Sequence, residues 1–192
     1  GQTAVVVRSG IGKVNAGICT QILADEFQVE AVINTGIAGS LKAEINIGDI
    51  VLSTDTMQHD VDAREFGYPL GQIPRMETLA FGADENLRKL AKEVCEEVNP
   101  DIQVFEGRVA SGDQFVADKE TKERIIENTQ AYCTEMEGAA IGQAAYLNKI
   151  PYLVIRAISD KADDSAHVDY PTFERQAIRH TVNLVSRMME RL

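Results

Sequence analysis

The run Tyr152-Leu-Val-Ile-Arg-Ala-Ile158 constrains this chain more than any other stretch. It is apolar at every position but Arg156 and rich in β-branched residues. A strand buried on both faces reads this way, because helices packed on either side leave no polar face to alternate with. The run stops at Ser159-Asp160, and Lys161-Ala-Asp-Asp-Ser follows as loop. Open α/β sheets bind ligands beyond the carboxyl ends of their strands, so the Asp160 carboxyl stands where chemistry is expected. A plain strand-ending cap is the simpler reading, and position alone leaves both open.

Shorter apolar runs alternate with helical patterns along the rest of the chain. Strands are expected over 3–8, 30–35, 49–56, 102–110 and 131–134. Helices are expected from about Lys13 to Phe27, over 83–98, 119–127 and 135–146, and over 172–192. Val14, Ile18, Ile22 and Leu23 line one face of the first helix. Leu87, Leu90, Ala91 and Val94 point inward from the second, and Asp118 caps the third. In the last helix the inward stripe reads Phe173, Ala177, Ile178, Val182, Val185 and Met189. Residues 57–82, with two prolines and three glycines, form an irregular excursion of the kind that is functional or lies at an interface. The alternation predicts a three-layer α/β/α sandwich around a mixed central sheet. With 192 residues, 44% of them hydrophobic, one domain spanning 1–192 is expected. The start at Gly1, without methionine and running straight into an apolar stretch, reads as cut from something longer.

The net charge of −11 and the lack of any long basic cluster argue against a nucleic-acid partner, since phosphate contacts need concentrated Lys and Arg. A small uncharged or cationic ligand suits that field better. No bilayer-spanning run and no secretory signal are legible. Cys19, Cys95 and Cys133 are widely spaced and odd in number, as in reduced thiols of a cytoplasmic protein. His59, His167 and His180 lack metal-ligand spacing, and neither a metal nor a cofactor is expected.

Several residues type for a sugar–base bond. Ser9-Gly-Ile-Gly and Thr35-Gly-Ile-Ala-Gly follow strands; each is a tight turn or a close backbone approach to a ligand. Glu135 and Glu137, two apart at a helix start, point in different directions. Both could simply favour the helix N-terminus, or one could grip vicinal hydroxyls and shield a developing cation. Phe115, beside a glycine, is core or a shelf for a planar base. A carboxyl acid, a sugar-gripping carboxylate and an aromatic shelf together are what N-glycosidic cleavage needs.

Ser9-Gly-Ile-Gly-Lys, Ile33-Asn-Thr-Gly-Ile-Ala-Gly, Ile47-Gly-Asp-Ile-Val, Ser111-Gly-Asp-Gln-Phe, Glu135-Met-Glu and Arg156-Ala-Ile-Ser-Asp, in that order, resemble the 5'-methylthioadenosine/S-adenosylhomocysteine nucleosidase family. The resemblance covers essentially the whole chain and implies a nucleoside phosphorylase-like fold. It implies hydrolysis of the N-glycosidic bond, with release of adenine and a 5'-thioribose. On that likeness Asp160 is the general acid toward adenine N7 and Ser159 holds it. Glu137 binds the ribose hydroxyls, Met136 lies against the ribose, and Arg156 with Glu135 positions the attacking water. Phe115 stacks on adenine and Val116 reads its edge. Ile37, Ala38 and Gly39 form the glycine turn beside the ligand, and Ile11 and Tyr170 line the 5'-thio pocket. The family's usual homodimer implies that Ala63, Phe66 and Pro74 reach into the partner's pocket. Ile37 stands where the family often has Ser. The family carries its first strand and a paired-glutamate motif, including the water-activating base, upstream of this chain's start, so hydrolysis is expected to depend on that segment. The rival expectations are a phosphorylase, a nucleosidase with another 5' group such as a futalosine, and a nucleoside-binding protein without turnover.

Overall fold

The computed structural model describes residues 3–192, the side chains of 167–172 and 176 excepted. Helix α1 is Lys13–Phe27, followed by strands β1 (Val32–Ser40) and β2 (Ile50–Gln58). A 3-10 turn at Arg64–Phe66 interrupts the excursion, which ends at β3 (Phe81–Gly82). Then come α2 (Glu85–Val98), β4 (Val104–Ser111), α3 (Lys119–Thr129), β5 (Cys133–Glu135), α4 (Gly138–Asn148), β6 (Tyr152–Asp160) and α5 (Ala166–Arg191).

The six strands form one mixed sheet in the order β3-β2-β4-β5-β1-β6. β1 and β6 run parallel, as do β2 and β4, while β2 also pairs antiparallel with β6 at Ile50–Leu52. The sheet therefore curls until its ends meet. All nine residues of β6 are buried. Their alternation sends Leu153, Ile155 and Ala157 into a core shared with α2 and α5, and Val154 and Ile158 into one shared with α4 and α1. Two helical layers thus enclose the sheet, as the alternating pattern predicts.

Several expectations are corrected. Residues 3–8 join no ladder, and Val6 is 95% exposed; an apolar, β-branched run becomes a strand only where a strand edge receives it. The strand 30–35 does not end before Gly36 but runs through to Ser40, because its ladder with β6 continues to Gly39 and β5 pairs with Gly39 and Ser40. The face of α1 carrying Val14, Ile18 and Ile22 points to solvent, since the helix buries Ala16 and Thr20 instead. On α5 the buried stripe is Ala177, Thr181, Leu184 and Met188, turned by one residue from the expected one, and Ile178 and Val182 are exposed. Thr181 is tolerated inside because its hydroxyl donates back to the Ile178 carbonyl at 2.9 Å, which an apolar-periodicity reading passes over. Helix α5 also begins earlier than expected, at Ala166, and α4 later, at Gly138.

Candidate active site

The last residues of β1, β4, β5 and β6 lie side by side in the sheet. The short β5 meets β1 only at Gly39 and Ser40, and its Glu135 lies in register with Ser111 of β4. Ser111 donates its hydroxyl to Glu135 Oε1 and receives the Ala139 N–H at 2.7 Å. Glu135 Oε2 accepts from the backbone N–H groups of Glu137 (3.1 Å) and Gly138 (2.8 Å) and from the Arg156 guanidinium. Glu135 therefore caps α4 from three residues before its first residue and anchors Arg156. Glu135 is 7% exposed, and its carboxylate is filled by donors from within the chain.

Arg156 reaches Asn34 Oδ1 at 2.6 Å and stands 3.6 Å from Glu137 Oε2. Its Nε is buried with no hydrogen-bond partner among the described residues. Asn34 and Gly36 lie on the same face of β1, opposite Val154 and Arg156. A Cβ at Gly36 would run into the guanidinium. This glycine serves space for an arginine, not a turn.

Glu137 turns the other way. Its Oε1 accepts the Gly12 N–H at 2.9 Å, made available by the positive φ of 91° at that glycine. Burial raises the Glu137 carboxyl above its ordinary range, while the Gly12 N–H and Arg156 pull it down. The two glutamates thus point in different directions, as their spacing implies: one serves the helix terminus, the other the Gly12 N–H.

At the tip of β6 the ladder slips: Ala38 faces Ile158, but Gly39 faces Asp160. Ser159 is the extra residue of a bulge, which re-aims the next side chain. Asp160 Oδ2 accepts the Ser159 hydroxyl at 2.8 Å and Oδ1 the Ala162 N–H at 2.8 Å. A Cβ on Gly39 would stand 2.7 Å from Asp160 Oδ1, so Gly39 leaves the carboxyl its room.

Around this core the other expected residues fall into two groups. Ala38, Gly39 and Val116 are buried, and Ile37 and Met136 half-buried. Ile11 and Phe115 are open at 74% and 47% exposure. Phe66 and Pro74 are exposed, whereas Ala63 is buried in its own chain. Tyr170 lies outside the described residues. Sequence reasoning missed Ser111 and Asn34, although both sit inside motifs it quoted. Among the described residues no cluster of His, Cys, Asp and Glu could hold a metal. Burial pushes the Cys95 and Cys133 thiols up, away from thiolate chemistry.

A family model described as the phosphorylase superfamily matches residues 1–190. The 5'-methylthioadenosine/S-adenosylhomocysteine nucleosidase of Treponema pallidum (strain Nichols) is 40% identical over 98% of this chain and 78% of its own length. The chain belongs to the 5'-methylthioadenosine/S-adenosylhomocysteine nucleosidase family of the phosphorylase superfamily. Among solved structures, the nucleosidase from Neisseria meningitidis in complex with methylthio-immucillin-A superposes on this family member with a TM-score of 0.92. It is 37% identical, covering 96% of this chain and 79% of that one. The futalosine hydrolase of Helicobacter pylori superposes with a TM-score of 0.90, at 36% identity over 96% and 78%.

Proposed function

We propose that the protein hydrolyses the N-glycosidic bond of 5'-methylthioadenosine and S-adenosylhomocysteine, releasing adenine and a 5'-thioribose for methionine salvage. The observation that carries this is the pairing of Asp160, re-aimed by the Ser159 bulge, with a Glu137 carboxylate held between Gly12 and Arg156. Asp160 protonates N7, so the base departs neutral. Glu137 grips the 2'- and 3'-hydroxyls and shields the oxocarbenium-like ribose as the bond breaks. Arg156, fixed by Glu135 and Asn34, keeps one buried N–H to orient the attacking water. Phe115 stacks on adenine beside Val116, Met136 lies against the ribose, and Ile11 lines the 5' side.

A second copy of the chain completes the site in this reading. The α1 face of Val14 and Ile18 borders a groove of about 390 Å³ shared with Ala140, Ala144 and Leu147 of α4. A contiguous apolar surface of that kind marks an interface, and exposed Phe66 and Pro74 would reach the partner's pocket. Free cysteines fit a cytoplasmic setting, and among the described residues no helix is long and apolar enough to cross a membrane.

Chromatographic detection of adenine from 5'-methylthioadenosine, with and without inorganic phosphate, tests the proposal. Release independent of phosphate supports it. A phosphate requirement points to phosphorolysis, and binding without release to a non-catalytic relative. The likeness to the futalosine hydrolase keeps a second reading open in which the 5' group differs, and competition between the two nucleosides separates them.

A further inference from the structure

Three residues from three strand or helix ends close a ring beside the site. Asp60 Oδ1 accepts the Lys13 ammonium at 2.6 Å, and Asp60 Oδ2 accepts the Asp113 N–H at 2.9 Å. Asp113 Oδ1 in turn accepts the Lys13 N–H at 2.8 Å. Lys13 also reaches Gln58 Oε1 at 2.9 Å, which fixes α1 to the end of β2. Lys13 follows Gly12, whose N–H is the one on Glu137, and a Cβ at Gly12 would lie 3.0 Å from Asp113 Oδ1. The carboxylate of Asp113 thus sets where the Gly12 amide points. Its partners lie at the surface, where such contacts contribute little to stability. Their geometry is nonetheless specific, since each carboxylate oxygen of Asp60 serves a different element.

Resting on the nucleosidase reading, we propose that Asp113 is a positioning residue. Through Lys13 it aims the Gly12 N–H at Glu137, and so orients the carboxylate that grips the sugar hydroxyls, with Asp60 closing the ring. Asp113 touches no substrate itself. The consequence is selective: losing it weakens the hold on ribose and leaves the base pocket alone. A hydrogen bond to a charged group carries enough energy for a loss of about tenfold.

The test uses the Asp160→Asn protein, in which turnover is suppressed, titrated calorimetrically with 5'-methylthioadenosine and with adenine. Adding Asp113→Ala is expected to weaken the nucleoside about tenfold and adenine less than about twofold. Asp113→Asn, which keeps the acceptor oxygen, is expected to restore most of the nucleoside affinity. On a Glu137→Gln background Asp113→Ala is expected to cost nothing further. Equal weakening of both ligands, no weakening, or full additivity with Glu137→Gln would overturn the proposal. A parent protein that binds neither ligand would instead sink the nucleosidase reading on which it rests.

Discussion

Two apolar runs of this chain, so alike in composition, have opposite fates. The run ending in Asp160 has β1 on one side and β2 on the other, and every residue of it is buried. Ala4-Val-Val-Val7 is just as β-branched, yet it joins no ladder and stands largely in solvent. The intrinsic preference of the residues is the same; the difference is whether a strand edge receives them. Strand propensity measures fit to neighbours more than any property of the backbone. Chemistry follows the same division, because an acid can be aimed only from a strand that is itself held.

The largest expected effect tests that contrast directly. Ile155→Ala removes a fully buried side chain and should cost about 2–5 kcal/mol in denaturant unfolding. Val6→Ala should stay within about 0.5 kcal/mol. Comparable losses at both positions would mean that residues 3–8 are buried in solution, and the contrast would break. Next in size, Asp160→Asn should lower kcat by about two or more orders of magnitude while the unfolding midpoint holds, as loss of a general acid does. Near-normal turnover would remove Asp160 from the chemistry. Gly36→Ala comes third. Its methyl would displace the Arg156 guanidinium, and overpacking of this kind costs about 1–3 kcal/mol. Turnover should fall with it, and an unchanged rate would show that Arg156 does not position the nucleophile.

The same contrast governs what could be read in advance. β6, the cap Asp118, and the splayed Glu135 and Glu137 were legible because local pattern decides them. The roles of Gly36 and Gly39 were not, since the room they leave is for Arg156 and Asp160, more than a hundred residues away. Nor was the Ser159 bulge, which exists only as a slip between two ladders. The one-residue rotation of α5 escaped for a related reason: Thr181 counts as polar until its hydroxyl finds a carbonyl within its own helix.

Smaller effects are expected where the two regions join. Ile18→Asp places a charge on the exposed apolar face of α1. If a second copy covers that face, sedimentation should show self-association weakened about tenfold or more, since burying an unpaired charge is costly. Unchanged association would place the interface elsewhere.

The smallest effect belongs to Asp60, which ties the start of α1 to the end of β2. Burial pushes its carboxyl up, but the Lys13 ammonium and the Asp113 N–H outweigh burial and leave it below the ordinary aspartate range. A depressed native pKa means that, just below about pH 4, the unfolded chain binds more protons than the native one, so stability there rises with pH. The contribution is fully present above that window and is lost as pH falls through the native value. Because the group is partly exposed, it is worth about 1 kcal/mol or less. Thermal unfolding of Asp60→Asn should therefore lie slightly below the parent at neutral pH and converge with it as the acid limb is descended. A gap that persists undiminished at the acid end would assign the loss to packing rather than to the ion pair, and would loosen the join on which the orientation of Glu137 depends.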